Sequence, residues 1–172
     1  MIGAALKFPV AALAAAFLVT VAGGKVGLKV SGAVTGAADI TDAGFCVTHV
    51  AMGKDSLHVF AFAGNNVAWG VSITSASGMP KVGAHAIDGS VKAVKATVID
   101  KRTGKAPREW QHYDAVDGTV TLTRADAGGV AGSFKFNAAP TMPKSTGGSV
   151  AAEGTFEAAQ MDGCDAAKRG KP

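Results

Sequence analysis

The sequence predicts an all-β fold, an antiparallel β-sandwich or a flattened barrel of about nine or ten short strands. Apolar and polar residues alternate with period two through most of the chain after residue 23, the pattern of half-buried strands. Clusters of Gly, Asn, Asp and Ser separate these stretches, and such clusters are typical of tight turns. The same region contains no sustained amphipathic helix pattern, so a sheet must supply the core.

The first half of the chain carries five of the predicted strands, at residues 26–34, 45–51, 57–63, 67–74 and 82–87. Residues 57–63 are apolar on both faces, which predicts a central strand covered on both sides. The linker Gly64-Asn65-Asn66 predicts a hairpin to the strand that contains Trp69. Residues 90–100 also fit one face of a helix, but their Val and Thr content and the flanking glycines favour a strand.

The second half begins with a long connection, residues 104–118, and then alternates again in a hairpin over residues 118–138. Three threonines alternate with Val120 and Leu122, and Asp126-Ala127-Gly128-Gly129 supplies the turn. A Pro/Gly/Ser-rich loop at 141–148 leads to a last strand at 149–157. The large side chains expected in the shared core are Leu28, Phe60, Phe62, Trp69, Phe134, Phe136 and Phe156.

The last three predicted strands carry a family resemblance. GTVTLTRADAGGVAGSFKFNA (118–138), followed by GGSVAAEGTFEA (147–158), resembles the C-terminal part of domain-of-unknown-function families in bacterial lipoproteins and secreted proteins. The resemblance covers about a quarter of the chain and implies an exported β-sandwich, with no catalytic residue to carry over. The chain departs from the lipoprotein members because it lacks a lipid-bearing cysteine after its apolar leader.

Residues 1–22 have the form of a secretory signal peptide. Lys7 precedes an apolar run of about 15 residues, shorter than the roughly 20 that span a bilayer, which favours cleavage over the alternative of a membrane anchor. We therefore expect export to the periplasm or the cell exterior, one β-sandwich domain at 23–162 and a disordered basic tail at 163–172. The expected mature chain carries 16 basic and 13 acidic residues, a net charge of +3, without a further apolar run that could span a membrane.

The two cysteines, Cys46 and Cys164, are predicted to form a disulfide, because an even count in an exported protein favours pairing. In the chain-entropy view, a loop of this length would contribute about 4–5 kcal/mol of stability. The alternatives are two free thiols or a redox or metal pair, and the absence of a CxxC motif argues against redox use.

The sequence offers no strong catalytic or metal-binding motif. Histidines at 49, 58, 85 and 112 form no HxH pair, and the carboxylate pairs Asp39/Asp42 and Asp114/Asp117 fall in predicted loops. Nucleophile-elbow, P-loop and dinucleotide patterns are also absent, so no cofactor or metal is expected. Glu109 and His112, three residues apart, are the one acid–base pair that the order of residues suggests.

The expected contact surface is the aromatic cluster Trp110, His112 and Tyr113, because exposed aromatics on loops often mark binding surfaces. Alternatively, these side chains close the open end of the sandwich. The basic residues at 101, 102, 105 and 108 are interpreted as a solvated loop, and the other basic residues are scattered, so nucleic acid is not an expected partner.

Together these observations favour an exported, non-enzymatic binding or structural module of the bacterial envelope. Its partner would be an envelope protein, a glycan or a small apolar ligand. One alternative is a carrier whose cavity is lined by Phe60, Phe62 and Trp69. A second is a hydrolase that brings His49, His58 or His112 to a carboxylate.

Overall fold

The computed structural model describes residues 24–50, 54–61, 68–75, 79–88, 94–126 and 128–160. The predicted signal peptide 1–22, the tail 163–172, Cys164 and the side chain of Cys46 lie outside what it describes, so the disulfide stays a prediction. Within the described ranges the chain contains strands and two short 3₁₀ turns but no α-helix. No helix there is long and apolar enough to cross a membrane.

The described residues form nine strands, which confirms the all-β prediction. In chain order they are β1 (Gly24–Gly32), β2 (Gly36–Val50), β3 (Lys54–Ala61), β4 (Trp69–Ser75), β5 (Gly83–Ile87), β6 (Val94–Asp100), β7 (Gln111–Asp126), β8 (Gly129–Met142) and β9 (Val150–Gln160). The 3₁₀ turns, Lys101–Thr103 and Pro107–Glu109, lie between β6 and β7.

The strands are hydrogen-bonded in the order β5-β7-β6-β4-β3-β2-β1-β9-β8, and β8 also pairs with β7. The sheet therefore curls back on itself, as in a sandwich or a flattened barrel, and most of its neighbouring strands are consecutive in sequence and antiparallel. A short contact between β2 and β9 is parallel. Because β8 follows nearly the whole of β7 on one edge, β6 and β5 share the other edge, β6 beside residues 111–114 and β5 beside residues 118–122.

The interior is filled by the inward side chains of every described strand, as the alternation predicts. Leu28, Trp69, Phe134, Phe136 and Phe156 are all buried, whereas Phe62 and the side chain of Phe60 lie outside the described part. The rings of Phe134 and Phe136 are 5.6 Å apart between centroids, within the range of favourable aromatic pairs. The described core therefore has the dense packing of a sandwich.

Two regions differ from the sequence prediction. β2 begins at Gly36, so Asp39 and Asp42 lie in a strand rather than in a loop. The small residues around Ile40 conceal the alternation of apolar and polar side chains. This segment is a strand because it pairs with β1, and local propensity alone does not predict it. β7 begins at Gln111, so Asp114 and Asp117 also lie in a strand, and bulges in its ladder with β8 hide the period of two.

Candidate functional site

The connection from β6 to β7, residues 100–111, folds over one end of the barrel, and we call it the end cap. Its first residue, Asp100, is 2% exposed and pairs in the sheet with Trp69. Both oxygens of its carboxylate are used by Arg102: Nε donates to Oδ1 at 2.8 Å and Nη2 to Oδ2 at 2.7 Å. The backbone N–H of Arg102 donates to Oδ1 as well, at 3.0 Å. A bidentate pair of this kind is among the strongest charge-assisted contacts in proteins.

The Arg102 guanidinium also covers the largest side chain of the core. Its Cζ lies 4.5 Å from the centroid of the Trp69 ring, which is 1% exposed, and its Nη1 donates to the Thr35 carbonyl at 3.5 Å. A cation over an indole face is attracted by the ring quadrupole. Gly36 packs against the same indole, where a Cβ atom would overlap the ring. The cap is thus attached to the β1–β2 connection and to β4.

A second set of hydrogen bonds fixes the middle of the end cap. The Thr103 hydroxyl lies 2.9 Å from the Asp100 carbonyl and 3.0 Å from the Glu109 carbonyl, and it accepts the backbone N–H of Gln111 at 2.8 Å. Oε2 of Glu109 accepts the backbone N–H groups of Lys105 at 2.8 Å and Ala106 at 3.1 Å. Side-chain acceptors of this kind satisfy backbone donors that a short turn leaves without partners.

The structure separates the three predicted contact residues. Trp110, at the end of the second 3₁₀ turn, is partly exposed, with the Lys101 ammonium 5.2 Å from its ring centroid. His112 is also partly exposed, at the start of β7. Tyr113 is only 6% exposed and belongs to the core cluster, so its placement in an exposed loop was wrong. The reason is that the strand begins two residues before it.

The environment of Tyr113 changes its titration. Burial raises the pKa of the phenol, the nearby Asp100 carboxylate acts in the same direction, and Arg102 opposes them. The pKa of Arg102 is raised chiefly by its hydrogen bond to Asp100. The neighbourhood therefore keeps the phenol neutral and the guanidinium charged.

The sequence predicts only a strand end at Asp100 and a solvated loop at Arg102, and it does not predict the ion pair between them. The signal was present in the order Asp-Lys-Arg-Thr-Gly directly after an apolar strand. An Asp that ends a strand before a turn is a natural N-cap, and Arg102 lies two residues later, within reach of the same carboxylate.

The histidines and carboxylates do not converge in the described part of the chain. His85 contacts the Lys81 carbonyl through Nε2 at 2.7 Å. It pairs with Val120, which lies eight residues along β7 from His112, so the two histidines are roughly 25 Å apart. Glu109, the suggested acid–base partner of His112, binds backbone N–H groups instead. Within the described ranges no three His, Cys, Asp or Glu residues lie close enough to hold a metal ion. The side chain of His49 lies outside those ranges.

Three open depressions of about 500, 660 and 940 Å³ lie on the outer face of the sheet formed by β1, β2, β7, β8 and β9. Oppositely charged residues alternate across neighbouring strands of this face. Glu153 on β9, for example, pairs with Lys135 on β8 and with Lys29 on β1. A smaller hollow, bordered by core side chains such as Leu57, Val94 and Phe156, measures about 10 Å³, close to the volume that one water molecule needs.

No protein-family model, curated protein or solved structure matches this chain. The resemblance to exported families of unknown function therefore stays a prediction.

Proposed function

We propose that this chain is an exported, non-enzymatic binding module of the cell envelope, and that the end cap is its recognition surface. One observation carries the proposal: a strongly charged connection is held in place by the ion pair of Arg102 with the buried Asp100 and by hydrogen bonds along its length. Ordering about ten loop residues costs conformational entropy, and a segment that only joins two strands has no need of a fixed conformation. A surface ordered before binding loses less freedom when a partner binds.

The cap presents both polar and aromatic groups in that fixed geometry. Trp110 and His112 are partly exposed, and Lys105 and Arg108 are exposed. Trp and Arg are the residue types that most often dominate binding energy at protein surfaces. The exported location rests on the leader-like residues 1–22 and is part of the same proposal.

The described hollow that borders the core measures about 10 Å³, far below the several hundred Å³ of ligand pockets, so it gives the carrier alternative no support. The hydrolase alternative gains none from the described histidines, because His58, His85 and His112 lie on three different strands, β3, β5 and β7, and no three His, Cys, Asp or Glu residues come together among the described residues. Neither alternative is favoured by a specific contact.

The test is capture of components from envelope fractions by the immobilised full chain. A Trp110→Ala and His112→Ala double variant should recover much less material than the wild type. A Thr119→Ala and Thr121→Ala double variant on the outer face should recover the same amount, because both threonines lie on β7 away from the cap. Circular dichroism should show equal folding for all three proteins. Equal recovery by the cap variant and the wild type would remove the proposal.

A further inference from the structure

The positive charge of the described chain is concentrated at the end cap. Five cations, Lys101, Arg102, Lys105, Arg108 and Lys144, lie in or beside the cap, against the carboxylates of Asp100 and Glu109, a net charge of +3. Lys144 belongs here because its carbonyl accepts a hydrogen bond from Gln111 Nε2 at 3.0 Å. The remaining described side chains carry six cations and seven carboxylates, a net charge of −1. The described part of the chain therefore carries its excess positive charge at this end.

The carboxylates of Asp100 and Glu109 both have hydrogen-bond partners within the cap, although Glu109 itself is an exposed residue. Asp100 is buried under Arg102, and Glu109 accepts two backbone N–H groups. The exposed charged residues of the cap and its neighbour Lys144 are therefore one carboxylate, Glu109, and four cations, Arg102, Lys105, Arg108 and Lys144. A fixed group of cations of this kind attracts an anionic surface and does so less strongly as salt is added.

Amphipathic and apolar side chains accompany the cations. Trp110 is partly exposed beneath the Lys101 ammonium, and Met142, which pairs in the ladder with His112, is 58% exposed. Tryptophan has an apolar body with one polar N–H group and is enriched at the boundary between lipid headgroups and hydrocarbon. Basic residues that surround a tryptophan and an exposed apolar side chain therefore match that boundary layer.

We infer that the end cap, with Lys144 and Met142, docks onto an anionic phospholipid surface. The shape favours this partner over a nucleic acid or a glycan chain, because the three described depressions lie elsewhere and none is lined by a cap residue. A linear polymer is usually held in a groove with stacking side chains, whereas a bilayer offers a plane that the end of a barrel meets directly. The inference rests on the proposed function, since it names the partner class of the same surface.

The test is flotation of the full chain with vesicles of phosphatidylcholine, with and without phosphatidylglycerol. Wild-type protein should float with the anionic vesicles at low salt, stay unbound with neutral vesicles, and dissociate as salt is raised. Each cation near an anionic surface contributes roughly a five-fold factor in partitioning. Lys105→Glu with Arg108→Glu should therefore weaken partitioning at least 25-fold.

A matched control separates local docking from overall charge. Lys29→Glu with Lys135→Glu changes the net charge by the same amount but lies on the outer face of the sheet. This variant should keep partitioning within about five-fold of the wild type, because distant charges are screened. Equal losses in the two reversal variants would overturn the inference. Trp110→Ala leaves the charge unchanged and should still weaken binding. It should also abolish most of the shift in tryptophan emission on adding vesicles, because the remaining tryptophan, Trp69, is buried and does not meet the lipid.

Two further outcomes would overturn the lipid assignment. Envelope capture that depends on the cap, without binding to anionic vesicles, would leave the proposed function standing and remove the lipid partner. Binding of single-stranded DNA or an acidic polysaccharide as tightly as vesicles, with the same dependence on Lys105 and Arg108, would assign the cap to anionic polymers instead.

Discussion

Arg102 lies over Trp69, with its guanidinium carbon 4.5 Å from the centroid of the indole, and the same guanidinium holds both carboxylate oxygens of Asp100. One side chain therefore connects the exposed end cap to the largest buried ring of the core. Arginine suits this position because its planar, always charged group can stack on an aromatic face and bind a carboxylate bidentately at once. Order in the cap and stability of the barrel are consequently coupled through Arg102.

The first prediction concerns the loss of this residue. Arg102→Met should lower the free energy of unfolding by about 2–3 kcal/mol, because it leaves Asp100 buried without its partner. The value lies below the upper range for buried pairs, since the Arg102 side chain is itself 45% exposed and its charge is screened by water. Urea unfolding followed by circular dichroism measures the change.

Two further variants show whether the loss of stability comes from the unpaired Asp100 carboxylate. Arg108→Met, at an exposed position of the same cap, should change stability by less than about 0.5 kcal/mol. The double variant Asp100→Asn with Arg102→Met should lose less stability than Arg102→Met alone, because no buried charge then remains. A single Arg102 variant as stable as the Arg108 variant would contradict the coupling.

A second prediction tests the close packing beneath the arginine. Gly36→Ala should destabilise the fold by about 1–3 kcal/mol, because the added Cβ would overlap the indole of Trp69, which has no room to move. Gly27→Ala is the matched control, since a Cβ at that strand glycine would meet its nearest atoms at 3.7 and 3.8 Å, ordinary contact distances. Thermal melts of both variants measure the difference, and equal melting temperatures would show that the two sites are equally spacious.

The third prediction concerns the turn between β7 and β8. Oδ1 of Asp126 accepts the backbone N–H groups of Gly128 at 2.8 Å and Gly129 at 3.0 Å. Asp126→Ala should therefore cost about 1 kcal/mol, whereas Asp126→Asn, which keeps an acceptor oxygen, should cost less than half as much. Chemical denaturation distinguishes the two, and identical losses would mean that charge, rather than the hydrogen bonds, stabilises the turn.

This turn also shows what sequence alone could predict. The alternation of Val120 and Leu122 with threonines and the Asp-Ala-Gly-Gly turn predicted the β7–β8 hairpin, because strand period and turn chemistry are local properties. The early start of β2 depends instead on pairing with β1, and the sequence around Ile40 gives little local indication of it. Register between distant strands is set by tertiary contacts, which a local pattern does not contain.

The exposure of two candidate residues was predictable from the sequence, and their role in binding stays a prediction. Trp110 and His112 were placed at the surface by their polar neighbours, and both are partly exposed. Tyr113 was placed with them, but strand β7 turns its ring into the core. The ion pair of Asp100 and Arg102 was missed because it forms beside Trp69. Trp69 is 31 residues before Asp100 in the chain and pairs with it only in the folded sheet.

The last prediction is a pH dependence that arises at Tyr113, the only tyrosine of the chain. Burial raises the pKa of its phenol above the ordinary value of about 10, so the folded protein keeps the proton where the unfolded chain has lost it. Above about pH 10 the folded state therefore binds more protons than the unfolded state, and stability falls as pH rises through the folded pKa. Below about pH 10 the phenol is protonated in both states, and its contribution does not change with pH.

Ultraviolet absorbance of the phenolate measures this titration directly, because no second tyrosine contributes. The transition of the folded protein should lie at higher pH than that of the same chain in urea. Tyr113→Phe should remove part of the alkaline loss of stability, and the difference between wild type and variant isolates the phenol from the other groups that titrate there. Coincident titrations in buffer and in urea would show that the ring is not buried, and the assignment of Tyr113 to the core would fail.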